Sequence, residues 1–261
     1  MRLRIFLICL ACLFSFSRCL IVVESPPFGQ EQWVPGATFE RGLPMKKGEE
    51  ISLENARGDI EVEGWDEERL EVRAEAREGT FPSRRLRFYS WRQAELNIEV
   101  ARQDGRIQIK TEPDVQKNIS RSVHYVLHVP RSVHLRSVRN GSGHIRVRDI
   151  YGSVVIEAEE GNVTVENFSG TLDIELGQGD IEAEVLDIRP EDEIRMVTGR
   201  GDISLAIEPQ ARVDMELSAP NGSVISDFDL SSEREPGAKA RVFLSARYGD
   251  IRVKKGNGNR I

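Results

Sequence analysis

The sequence predicts an all-β fold: a single-stranded right-handed β-helix (solenoid) with a less regular β-strand cap on its N-terminal side. Three observations predict it. A five-residue unit, Gly, a small or polar residue, Ile/Val/Leu, any residue, then an apolar one, recurs along the chain. Five consecutive copies have their glycines nine residues apart. No stretch beyond the first residues holds the 3.6-residue period of a helix.

The regular copies are Gly143-His-Ile-Arg-Val147, Gly152-Ser-Val-Val-Ile156, Gly161-Asn-Val-Thr-Val165, Gly170-Thr-Leu-Asp-Ile174 and Gly179-Asp-Ile-Glu-Ala183. Gly201-Asp-Ile-Ser-Leu205, Gly222-Ser-Val-Ile-Ser226 and Gly249-Asp-Ile-Arg-Val253 continue the series, and Gly58-Asp-Ile-Glu-Val62 and Gly105-Arg-Ile-Gln-Ile109 precede it. Apolar residues two apart share one face of a strand, and the residue between them faces water. Glycine reaches a positive φ without side-chain strain and so marks a sharp corner; a neighbouring Asp, Asn or Ser hydrogen-bonds the turning backbone. Gly58, Gly143, Gly152, Gly161, Gly170, Gly179, Gly201, Gly222 and Gly249 are the expected structural corners. Two nine-residue halves make a coil of 18 residues, and the later glycine spacings of 22, 21 and 27 read as corner insertions. A meander of hairpins also alternates, but the same residue order at every corner favours stacked rungs.

Residues 48–129 alternate less regularly, with strands expected over Ile51–Glu54, Arg69–Ala76, Glu95–Val100, Arg106–Lys110 and Ser122–Val129. They read as a cap continuous with the β-helix repeats of 130–255, since bare solenoid ends need covering. Trp65 and Trp91 fall in this part and are expected in core packing. Residues 18–47, rich in Pro, Gly and polar side chains, read as a flexible tether.

The first 17 residues read as a signal peptide: Arg2 and Arg4, the apolar run Ile5–Phe14, then small residues at Ser15 and Ser17. That run is shorter than the roughly 20 residues a membrane span needs. The expected location is therefore exported: periplasm, outer envelope or cell surface. Cys9, Cys12 and Cys19 all lie in or beside this segment, which excludes a disulfide framework or thiolate metal site in the body of the chain. Membrane attachment is expected only if Cys19 carries a lipid, and Phe16-Ser17-Arg18 before it suits a lipidation signal poorly. Cleavage after Ser17 takes the formal charge from −7 to −9. An acidic chain repels phosphate backbones, so nucleic-acid binding is not expected.

Tyr125-Val-Leu-His-Val-Pro130, the run Val138-Arg-Asn-Gly-Ser-Gly143-His-Ile-Arg-Val147 with its successors, and Asn55-Ala-Arg-Gly58-Asp-Ile-Glu-Val-Glu-Gly-Trp65-Asp together resemble the bacterial DUF4097 family of adhesin-type domains. The likeness spans roughly residues 48–255. It implies an extracytoplasmic β-helix, linked in some relatives to envelope-stress systems, and it supplies no catalytic residues.

Other motifs read as parts of the repeat. Arg57-Gly58-Asp59 and Arg200-Gly201-Asp202 spell an integrin tripeptide only because Arg precedes Gly-Asp-Ile. Asp59, Asn162, Asp180, Asp202 and Asp250 follow corner glycines; a column of them suggests Ca²⁺, but corner hydrogen bonding explains them without it. His124 and His128, four apart on a strand, lie about 13 Å apart, too far for one metal, and read as surface residues. The outward acids Asp173, Glu175, Glu182 and Glu184, with Glu157, Glu159 and Glu160 near a corner, have no long loops to make a polysaccharide-cleaving groove. No catalytic, metal-binding or cofactor residue is expected, nor any cofactor. The expected function is a non-catalytic binding or adhesin-like module of the cell envelope whose partner is an envelope protein or cell-surface glycan. The alternatives are a structural or sensory accessory working through protein–protein contact and, more remotely, a polysaccharide-active enzyme.

Overall fold

The structure, a computed structural model, describes residues 32–46, 48–80, 96–111, 120–228 and 239–256. Among them all regular structure is β-strand. The leader, its three cysteines and Trp91 lie outside the described residues. In the first half the strands are β1 (Gln32–Pro44), β2 (Glu50–Arg57), β3 (Ile60–Trp65), β4 (Arg69–Thr80), β5 (Ile98–Gln103), β6 (Arg106–Thr111) and β7 (Ser120–Pro130). The regular stretch supplies β8 (His134–Ser142), β9 (Ile145–Arg148), β10 (Val154–Glu160), β11 (Val163–Ser169), β12 (Leu172–Gln178), β13 (Ile181–Asp187), β14 (Glu193–Arg200) and β15 (Ile203–Ile207). The C-terminal part adds β16 (Val213–Ser218), β17 (Val224–Ser226), β18 (Ala240–Ala246) and β19 (Ile251–Lys255).

Two sheets face each other across one core. The ten-stranded sheet runs β1-β4-β7-β3-β9-β11-β13-β15-β19-β17, and the nine-stranded one β16-β18-β14-β12-β10-β8-β2-β6-β5. From β8 to β15 the chain alternates between the sheets, and each strand pairs in parallel with the one two places on. Alternation puts every second side chain inward. One such column, Ile145, Val163, Ile181, Ile203, is 1 % exposed throughout. Burying a side chain of this size is worth about 1.5–3 kcal/mol, and each rung buries its own on both neighbours.

The stacking does not follow chain order at either end. The β2–β3 rung lies between β6–β7 and β8–β9, so Glu50–Trp65, expected in a cap, is an interior rung. At the other end β18–β19 is inserted between β14–β15 and β16–β17. The long glycine spacings after Gly179 are therefore not all corner insertions in a sequential coil. Gly249 stacks on Gly201, and Gly222 stacks outside Gly249.

One further expectation changes, and one copy of the repeat unit serves a different turn. Gln32–Pro44, placed in the tether by composition, is β1, paired antiparallel with β4. Its alternation (Thr38, Phe39, Glu40, Arg41) is obscured by Pro35 and Gly36, where the register shifts. The Gly105 copy is no corner: Asp104 (φ 51°) and Gly105 (φ 76°) form the two-residue turn of the antiparallel β5–β6 hairpin, the geometry such hairpins favour.

Candidate functional site

One corner between the sheets carries a continuous ladder of polar contacts. Gly58, Gly143, Gly161, Gly179, Gly201, Gly249 and Gly222 fall into one column, and Gly152 and Gly170 into a second. In the first, the rungs approach so closely that a Cβ on Gly179 would lie 1.7 Å from the Gly161 carbonyl oxygen. Gly179 also has φ +135°, where side chains are strained. Gly152 and Gly222 do not share the positive φ; close backbone approach alone, 2.2 Å to the Val133 oxygen and 1.9 Å to the Gly249 oxygen, demands glycine there.

The residue after each glycine of the first column binds the next rung. The Asp59 N–H donates to His124 Nδ1 (3.3 Å) and the His144 N–H to Asp59 Oδ1 (2.9 Å). The Asn162 N–H donates to His144 Nδ1 (3.2 Å), and the Asp180 N–H to Asn162 Oδ1 (3.0 Å). The N–H groups of Asp202, Asp250 and Ser223 donate to Oδ1 of Asp180, Asp202 and Asp250, each at 2.8 Å. Corner amides that leave the strand ladders are satisfied this way, as backbone donors must be. The Asp250 carboxyl is held below its ordinary value, first by the Ser223 backbone N–H, then by the Ser223 side chain. These aspartates spend an oxygen on the backbone, and among the described residues no cluster of three His, Cys, Asp or Glu side chains is arranged to hold a metal. Asp59 and Asp202 of the Arg-Gly-Asp tripeptides belong to the same ladder.

Behind this corner lie the buried polar groups. Asn55 Nδ2 donates to the Val123 carbonyl (2.9 Å), Asn140 Nδ2 to the Gly58 carbonyl (2.9 Å), and Thr198 Oγ1 to the Gly179 carbonyl (3.0 Å). Tyr125, fully buried, has its hydroxyl 2.6 Å from Thr111 Oγ1. Burial pushes that hydroxyl up to about 12.

The outer face of the nine-stranded sheet is a lattice of ion pairs across neighbouring rungs. Lys110 meets Glu54 at 3.3 Å, Arg139 meets Glu157 at 3.1 Å, and Arg195 bridges Asp173 (2.8 Å) and Glu175 (2.6 Å). Arg241 meets Glu193 at 2.9 Å. Such exposed pairs contribute little stability, about 0–1 kcal/mol each, but they fix a charge pattern. Over Gly141 and Gly177, where side chains are missing, a shallow open groove of about 540 Å³ is walled by Glu54, Arg139, Glu157, Glu159 and Glu175. Three of its four glutamates are engaged with Lys110, Arg139 and Arg195.

Trp65 is not core. It is half-buried at the end of β3, stacks on His128 with ring centres 5.2 Å apart, lies under the Arg69 guanidinium at 4.8 Å, and donates its indole N–H to the Arg69 carbonyl. His128 is thus half-buried against Trp65, and His124 belongs to the corner ladder. Beside them Arg131 bridges Asp66 and Asp149 and lies over the exposed ring of Tyr151. Sequence reasoning missed this cluster because its members are distant in the chain; the one signal was that Trp65 follows Gly64 where the strand ends.

The DUF4097 Toastrack family profile matches residues 42–259, most of the chain. The chain belongs to the Toastrack family. A candidate cell adhesion protein from Clostridium sporogenes has a similar solved structure, 14 % identical, with a TM-score of 0.50, covering 84 % of this chain and 100 % of its own. A candidate adhesin from Bacteroides fragilis, 10 % identical, covers 83 % of this chain and 97 % of its own, with a TM-score of 0.42. A candidate lipid binding protein from Parabacteroides distasonis, 8 % identical, covers 84 % and 98 %, with a TM-score of 0.32. At these identities the Clostridium likeness speaks to the fold alone. No curated protein matches the sequence. This Toastrack chain thus presents a charge-patterned outer face on the nine-stranded sheet and one hydrogen-bonded corner.

Proposed function

We propose that this Toastrack protein is an exported, non-catalytic binding or adhesin-like module of the cell envelope, its rigid flank presented to a surface glycan or envelope protein. The observation that carries the reading is the corner ladder running from His124 to Ser223 through every rung between. It locks the rungs in register, so the ion-pair lattice beside it is a preorganised contact surface, which lowers the entropy cost of binding. Export rests on the leader over residues 1–17, and attachment by lipid on Cys19. We read the coil as right-handed, as nearly all parallel crossover connections are.

A direct test tracks the tagged full-length protein in fractionated cells and measures co-sedimentation of the purified chain with isolated envelopes. Recovery in the envelope fraction and saturable co-sedimentation are expected. A cytoplasmic location, or no retention by envelopes, would sink the proposal. The second reading, an accessory acting through protein–protein contact, is favoured by one observation: among the described residues no strand lies outside the last rung.

A further inference from the structure

The columns of the core end differently at the two extremities. In the ten-stranded sheet, one column runs Tyr125, Ile60, Ile145, Val163, Ile181, Ile203, Ile251, Val224. All are at most 1 % exposed except the last, Val224, at 40 %. Beside Tyr125 the antiparallel strands β4 and β1 extend the sheet, and β5 extends the other beyond β6. At the C-terminal extremity β16 pairs only with β18 and β17 only with β19; among the described residues no strand lies outside them. Val213, Met215 and Leu217 of β16 point along the core columns and are only half-buried.

We propose that β16 is a docking edge for an extended segment of a partner protein in which apolar and basic residues alternate. The outer edge of β16, which pairs with no other strand among the described residues, supplies the main-chain half of such strand addition. The half-buried apolar column supplies the inward half. The charge pattern specifies the outward half. Glu193 pairs with Arg241, and Arg241 lies in register with Asp214, so the row alternates negative, positive, negative and ends on an exposed carboxylate. The next row ends on exposed Glu216, opposite Phe243 rather than a cation. A hollow of about 530 Å³ on this face, between Arg195, Phe243 and Glu216, gives room for long basic side chains beside the edge.

A second copy of this chain fits poorly. Antiparallel pairing of β16 with its two-fold mate opposes Asp214 to Glu216 if Met215 lies on the axis. It opposes two Asp214 or two Glu216 carboxylates if one of those residues does, and like charges directly opposite are destabilising. The proposal rests on the binding-module reading and names the chemistry of one partner, but it can fail alone.

The test uses three fluorescein-labelled peptides with the intact chain. One alternates lysine and valine, one alternates glutamate and valine, and one holds the first peptide's residues in separate blocks. The alternating lysine peptide should bind at least about tenfold tighter than the other two, by the charge complementarity and register that specify such contacts. It should slow amide exchange over residues 213–218. The double variant Asp214→Lys/Glu216→Lys, altered only at exposed side chains, should keep the wild-type circular dichroism and reverse the preference toward the glutamate peptide. Equal binding of the blocked peptide, protection elsewhere, or unchanged preference in the variant would overturn the docking edge. Concentration-dependent dimerisation with protected β16 would give the edge to a second copy instead. Loss of envelope co-sedimentation would instead count against the binding-module reading itself.

Discussion

The two ends of the solenoid are built by the same manoeuvre and finished differently. In each, a later or earlier stretch of chain is slipped inside the terminal rung: β2–β3 beneath β6–β7, and β18–β19 beneath β16–β17. At the N-terminal end antiparallel strands then cover the outer rung, and its column residues, Ile107, Tyr125 and Leu127, are as buried as those mid-stack. At the C-terminal end nothing described follows, and the same columns end on half-buried Met215 and exposed Val224. Stacking energy is therefore a property of having two neighbours, as expected where each unit touches only adjacent ones.

The strongest way to break that comparison is at the corner. Gly58→Val introduces a Cβ 2.2 Å from the Val123 oxygen at φ +121°, with rungs on both sides. It should cost about 4 kcal/mol or more in a denaturant titration, or prevent folding. Next come paired truncations. Leu127→Ala, in the covered end rung, should cost about 3 kcal/mol and Leu217→Ala, in the open one, about 1 kcal/mol; equal costs would mean that the open rung is packed as tightly as the closed one. Gly222→Val clashes at 1.9 Å with the Gly249 oxygen. Because no described strand lies outside its rung to resist an outward shift, about 2 kcal/mol is expected, well below Gly58→Val.

Smaller still is the ladder itself. Asp180→Ala, which removes one acceptor for the Asp202 N–H, should cost about 1 kcal/mol. The least effect is in acid. Asp250 has its folded value depressed below 3.8, so its contribution is present above that pH and lost as pH falls through the lower folded value. Amide exchange at Ser223 should accelerate in that window, and Asp250→Asn, which keeps an Oδ1 acceptor as Asn162 does, should abolish the acceleration.

Much of the architecture was legible because the rung is short and its chemistry repeats. Gly143 to Gly179 fixes coil length, strand positions and inward residues, and the family resemblance follows from the same motif. The spatial order at the ends was not legible. Gly58-Asp-Ile-Glu-Val and Gly249-Asp-Ile-Arg-Val read identically whether stacked in sequence or inserted, because a parallel rung offers the same faces above and below. In hindsight the quality of the copy carries information. Gly222-Ser-Val-Ile-Ser ends on Ser226 instead of an apolar residue, and it is the terminal rung. The Trp65 cluster was illegible for another reason: Trp65, His128 and Arg131 meet only because β3 and β7 are neighbours, which no spacing in the sequence encodes.

The inserted rungs also constrain the order of events during synthesis. A ribosome-bound chain that has reached residue 239 holds β16 and β17 but lacks both strands on which they stack. Those strands are made only after β16 and β17, and they bring seats for the outer rung as well as their own contacts with β14 and β15. A chain that stops before residue 240 therefore lacks support for two layers instead of one, and the outer rung can settle only after the inner one has been made.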